Sequence, residues 1–294
     1  MILVTGANGF VGSRFVSKLL ENGKPVCGLI RAGKQPSQNH ALLRWHSGDI
    51  NDRASLAGCM DGVDTVVHLA ALLSHADEAM NQHVNAEGTR TLIQLCRLHG
   101  VKRFVLMSAA AATYQHTNAY GRSKQKAEEI VRNSGLDYTI LRIPLVIGRG
   151  SPEWSRFVDY ICKLPNIIPV FGPGTAIKCP IYIDDVISAL MAIVERPQLG
   201  NHVWEVACKE SITLNELIDI TCNRLNLHKT KVHVPLNVSL LLACIAETLL
   251  GNKSPITRDI TRGMNEDVRF DTEAAYRELR LTPKSLVDAI AASL

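Results

Sequence analysis

Short apolar runs alternate with longer amphipathic stretches through the first half of the chain. Residues 2–4, 26–30, 65–69, 104–107 and 138–142 are apolar, bounded by turn residues, and read as buried strands. Between them, residues 12–22, 84–99 and 120–134 carry apolar positions at helical spacing. Such alternation requires parallel strands joined by right-handed crossovers, so an α/β doubly wound parallel sheet of Rossmann type is expected. The pattern changes after Gly148, where Arg149-Gly150-Ser151-Pro152 forms a turn cluster. A helix over 153–164, a proline- and glycine-rich loop over 165–180 and a strand–helix unit over 181–195 follow. A strand at 202–207, a helix at 213–225 and a mostly helical remainder complete the chain. The boundaries read as residues 1–148 for the sheet domain, with 181–207 returning to it. Residues 149–180 and 208–294 then form a smaller, mostly helical domain. The apolar stretch 238–250 holds Ser239, Glu247 and Thr248 and is too short to span a bilayer; it reads as a core or dimer element sooner than a lipid cradle.

The 294 residues are 46% hydrophobic and 20% charged, with a formal net charge of +4 and no basic run. Nucleic acid and anionic membrane are therefore not expected partners. The eight cysteines are spread singly without a Cys-x-x-Cys pair, which argues against zinc and a redox dithiol and for a reducing compartment. The opening Met1-Ile2-Leu3-Val4-Thr5-Gly6 reads as a strand entering a turn, not a signal peptide, and a cytoplasmic location is expected. His75, Asp77, Glu78 and His83 have no compact ligand spacing, and no metal is expected.

The clearest local chemistry is Thr5-Gly6-Ala7-Asn8-Gly9-Phe10-Val11-Gly12, after a strand and opening a helix. A pyrophosphate needs backbone N–H groups aimed from a helix N-terminus, with no side chain in the way. Gly6 serves the tight turn, Gly9 the close approach and Gly12 the packing of helix on sheet, while Phe10 and Val11 cap the site. The second strand ends Gly28-Leu29-Ile30-Arg31. An acidic residue there would bond the ribose of NAD; Arg31 instead tilts the expectation toward the 2′-phosphate of NADP over NAD.

Several ordered motifs then resemble the extended short-chain dehydrogenase/reductase family, the NAD-dependent epimerase/dehydratase group. Gly48-Asp49-Ile50 resembles its adenine-contacting turn, and Leu69-Ala70-Ala71 the strand end along the cofactor. Asn85-Ala86-Glu87-Gly88-Thr89 resembles the buttressing helix start, and Tyr120-Gly121-Arg122-Ser123-Lys124 the Tyr-x-x-x-Lys pair. Ile143, Pro144 and Ile147 match the segment beside the nicotinamide. The resemblance implies a dinucleotide on the first domain, substrate on the second and a homodimer through 84–99 and 120–134.

Tyr120 and Lys124 share one helix face. A free phenol has a pKa of about 10, and a neighbouring ammonium and positive nicotinamide ring are expected to lower it. Tyr120 then exchanges a proton with a carbonyl/alcohol pair while hydride moves, and the resemblance implies that Lys124 holds the ribose hydroxyls. The run Met107-Ser108-Ala109-Ala110 places alanine where the family puts a serine. Ser108 or Thr113 is left to substitute, or the substrate is held otherwise. Lys178 stands where a diphosphate-binding arginine is usual. The expected activity is NAD(P)-dependent hydride transfer on a nucleotide-linked sugar. The alternatives are a sterol-like or apolar alcohol, and a nucleotide-binding protein without turnover.

Overall fold

In the computed structural model, which describes residues 1–73, 77–251, 254 and 256–294, the alternation becomes a seven-stranded parallel sheet. The first elements are β1 (Ile2–Thr5), α1 (Phe10–Glu21), β2 (Val26–Ile30), β3 (Leu43–Ser47) and β4 (Thr65–His68). Next come α2 (Glu78–Asn81), a π-helical stretch (Gln82–Glu87), α3 (Gly88–Leu98), β5 (Arg103–Ala109), α4 (Ala119–Arg132) and β6 (Asp137–Ile143). Then follow β7 (Val146–Ile147), α5 (Pro152–Lys163), β8 (Ile167–Phe171), β9 (Ile177–Lys178), β10 (Ile181–Tyr182), α6 (Ile183–Glu195) and β11 (His202–Glu205). The last part holds β12 (Ile212–Thr213), α7 (Leu214–Arg224), β13 (Thr230–Val234), α8 (Leu236–Leu250), α9 (Arg258–Asn265), α10 (Glu273–Leu279) and α11 (Leu286–Ser293).

The sheet order is β11-β6-β5-β4-β1-β2-β3, every pair parallel. One face is covered by α1 and α6, which bury Val16, Leu19, Leu190 and Ile193; the other by α3 and α4, which bury Leu92, Cys96, Ala127 and Val131. Successive strands leave β1 in opposite directions, toward β2 on one side and β4 on the other. A crevice opens at the strand C-termini at such a switch point.

Three features depart from the pattern read along the chain. β3 was not anticipated, because Arg44, His46 and Ser47 interrupt its apolar positions; it is the sheet's edge, where one side meets solvent. The expected loop 165–180 contains β8, parallel to β13, and β9, antiparallel to β12. Pro169 lies inside β8, a position tolerated because β8 pairs on one side only. α8 is not a core element: of its residues only Ser239 and Ala243 are buried, and Leu241 and Leu249 are 61% and 77% exposed. No helix among the described residues is long and apolar enough to cross a membrane.

Candidate functional site

Gly6 follows β1 with φ +65°, a left-handed conformation that side chains disfavour. A Cβ at Gly12 would stand 2.1 Å from the Gly6 carbonyl oxygen, so turn and helix fit only as glycine on glycine. Gly9 enters α1 extended, with no side-chain cap and no acidic residue in the first turn. The first-turn N–H groups therefore remain unspent, at the positive end of the helix dipole. This cradle suits a pyrophosphate. The Arg14 guanidinium lies 4.4 Å over the Phe10 ring and donates to the carbonyls of Phe10 (3.0 Å) and Arg149 (2.6 Å), fixing the turn to the segment after β7.

From this turn a cleft of about 580 Å³ runs across the strand ends. Gly6, Asn8, Gly9, Phe10, Val11 and Gly12 line one side; Arg31, Lys34, Asp49 and Ile50 line the end beside β2. Leu69, Ala70 and Ala71 form its floor after β4, and Ile143 and Pro144 follow β6. Ser108, Tyr120 and Lys124 complete the far end. Beneath the floor, Ala70 N–H donates to Thr5 Oγ1, whose hydroxyl meets His68 Nδ1 at 2.7 Å. His68 Nε2 meets Thr89 Oγ1 at 3.1 Å, and Thr89 donates to the Asn85 carbonyl. Because Thr89 spends its proton on Asn85, it accepts from His68 Nε2–H. Burial, reinforced by Lys124, pushes the His68 pKa down to about 3.

Lys124 is buried and donates from Nζ to the Met107 carbonyl at 2.7 Å. Burial lowers its pKa to about 8 against the opposing pull of Glu128. Burial first, then the Glu153 and Tyr114 side chains, raise the Tyr120 phenol well above 10. Desolvation is the largest of these effects, and no lowering by Lys124 accompanies it.

A family model for the NAD dependent epimerase/dehydratase family matches residues 2–207. The chain belongs to this family. It is an enzyme of the extended short-chain dehydrogenase/reductase type. The N-acetyl-alpha-D-glucosaminyl-diphospho-ditrans,octacis-undecaprenol 4-epimerase of Escherichia coli O157:H7 is 25% identical, over 97% of this chain and 91% of that protein. The ceramide reductase of Caulobacter vibrioides is 26% identical over 68% of this chain and 62% of its own length. A UDP-glucuronic acid 4-epimerase from Bacillus cereus, solved with UDP-glucuronic acid and NAD, shares the fold. Its TM-score is 0.77 at 22% identity, covering 99% of this chain and 97% of that one.

In this member of the family, four anticipated residues do not line the cleft. Asn85 lies on the π-helical stretch, bonded to both backbone groups of Leu72 and to Ser123 Oγ, and Ser123 donates to the Tyr120 carbonyl. It buttresses α4 from behind. Ile147 is fully buried, packed with Trp154. Thr113 donates to the Ala110 carbonyl. Lys178 donates to the carbonyls of Gly263 (3.2 Å) and Glu266 (2.7 Å), and burial lowers its pKa to about 8. Ser108 lines the cleft, but its hydroxyl donates to Glu128 Oε1 at 2.6 Å. Glu128 is also held by Arg142 and Arg132. Reading the sequence missed Lys34, Tyr114 and Glu153, all cleft-lining; no motif marks them, and only their place after a strand or at a helix start suggests them. His75 lies outside the described residues, among which no metal-ligand cluster occurs.

Proposed function

We propose that this enzyme binds NADP in preference to NAD and moves hydride to or from a carbonyl/alcohol carbon of a nucleotide-linked sugar. The observation that carries this reading is one cleft uniting the glycine turn with Tyr120 and Lys124. A nicotinamide dinucleotide, when bound, supplies the hydride donor or acceptor. The glycine turn holds its pyrophosphate, and Arg31 and Lys34 face its adenosine end, where two cations favour a 2′-phosphate. Tyr120 keeps its proton through neutral pH and is poised as an acid: reduction adds hydride to the carbonyl carbon and the Tyr120 proton to its oxygen. Lys124, anchored on Met107, sets the charge beside that phenol and orients the ribose.

A second reading, an apolar alcohol or ketone, is favoured by Leu72, Leu73, Val84, Leu145 and Val146 in the same cleft, and by the ceramide reductase relative. One experiment separates the two: turnover of UDP- and dTDP-sugars against long-chain ketones, each with NADPH and NADH. The primary reading expects sugars turned over, NADPH binding tighter than NADH, and Tyr120→Phe lowering kcat by about 10²–10⁴-fold. Full activity in Tyr120→Phe overturns it.

A further inference from the structure

We propose that the Tyr114 hydroxyl donates the second hydrogen bond to the reacting oxygen, making it a catalytic residue alongside Tyr120. The inference rests on the hydride-transfer reading above. An oxygen that gains charge as hydride arrives is stabilised most by donors already aimed at its place, and one donor leaves it free to swing. The question is which cleft side chains have a donor to spare.

Most do not. Position 110 carries a methyl group, and Ala110 is buried against the cleft wall. The Ser108 hydroxyl is spent on Glu128, itself locked in a buried ion network with Arg142. Thr113 caps the short helical turn through the Ala110 carbonyl and does not face the cleft. Lys124 donates one N–H to the Met107 carbonyl, and its remaining donors are assigned above to the ribose. Asn8, Arg31 and Lys34 belong to the glycine turn and the β2 end.

Tyr114 is different. It lies directly after the Ala110–Thr113 turn that follows β5, in extended backbone, with φ −63° and ψ 141°. Its ring packs in the cluster of Ala110, Ile147, Trp154 and Cys179, which fixes the side chain, and it lines the cleft together with Tyr120. Among the described residues its hydroxyl has no hydrogen-bond partner. It stands close enough to Tyr120 to act on that phenol electrostatically, and burial pushes its own pKa up to about 12. It therefore remains a neutral donor across the working pH range. The two phenols line the same cleft from different elements, α4 and the turn after β5.

The test measures turnover of UDP-glucose and dTDP-glucose with NAD+ and NADP+ in Tyr114→Phe, Tyr120→Phe and the double variant Ala110→Ser/Tyr114→Phe. Tyr114→Phe is expected to lower kcat and kcat/KM together by about a hundredfold, leaving KM, nucleotide Kd and Tm unchanged. The added serine hydroxyl is expected to recover roughly tenfold of that loss. A kcat within about threefold of wild type in Tyr114→Phe, with Tyr120→Phe inactive, overturns the role of Tyr114 alone. An active Tyr120→Phe, or no sugar turned over, overturns the reading beneath it instead. A crystal soaked with NAD+ and trifluoroethanol, a minimal alcohol, then decides the geometry independently of turnover. Its oxygen is expected within about 3 Å of both phenol oxygens. An alcohol on Tyr120 alone, or beside neither phenol, overturns the proposal.

Discussion

Lys124 and Tyr120 stand one helical turn apart, and burial acts on them in opposite senses because it disfavours whichever form is charged. It raises the phenol and lowers the ammonium, so Tyr120 keeps its proton while Lys124 is held near the point of losing one. The spacing Tyr-x-x-x-Lys made the pair legible. It could not show that Lys124 Nζ turns onto Met107, or that burial dominates both groups. The consequence is an alkaline limb. The ammonium is the working form of Lys124 and is present below a pKa of about 8, so kcat/KM is expected to fall as pH rises through that value. Lys124→Arg keeps a charged group above pH 8 and should remove the limb, at a lower maximum because the guanidinium fits the Met107 carbonyl differently. A pH–rate profile of both proteins decides this, and an unchanged limb in Lys124→Arg would assign it to another group.

At the scale of elements, what was legible is what local rules dictate. The glycine turn could be read because its glycines answer separate steric demands, and the helices because each has one apolar face. β3 and β8 were hidden for a physical reason: an edge strand exposes one side, so Arg44 and His46 sit within β3 and Pro169 within β8 without cost to a second neighbour. α8 failed in the opposite way. Its apolar residues surround the axis, so periodicity gives no direction, and Leu241, Leu242, Ile245 and Leu249 stay exposed. The sharpest element-level prediction concerns the junction of β1 and α1. In Gly12→Ala the new methyl group would meet Gly6 carbonyl oxygen, backbone against backbone, so no side chain can yield. The helix start must move, at a cost of about 1–3 kcal/mol. Fluorescence titration should show NADPH affinity lost far beyond what that destabilisation alone explains. Binding within about twofold of wild type would mean the turn is not the phosphate cradle.

For the whole molecule, the decisive feature is how the chain after β6 is threaded back into the sheet. β10 and α6 return over α1, and β11 pairs with β6 at the sheet edge. Arg142 of β6 reaches Glu205 of β11 at 3.0 Å while also gripping Glu128 of α4. The C-terminal segment is tied to the same layer. α10 buries Ala275 and Leu279 in the α1–α6 core, the Tyr276 hydroxyl donates to the Ala207 carbonyl, and Lys284 N–H donates to Asp185 at 3.1 Å. Sequence could mark where the alternation broke, but not these contacts, since they join residues far apart along the chain. Their consequence is thermodynamic: the sheet cannot melt without releasing α10, and the C-terminal helices cannot leave without uncovering the core. Scanning calorimetry should therefore show one transition with equal calorimetric and van't Hoff enthalpies. NADP+ at a hundred times its Kd adds about 2.7 kcal/mol to the native state, enough to move that whole transition up by roughly 5 °C. Two peaks, of which the nucleotide shifts only one, would show that the lobes unfold separately despite the shared core.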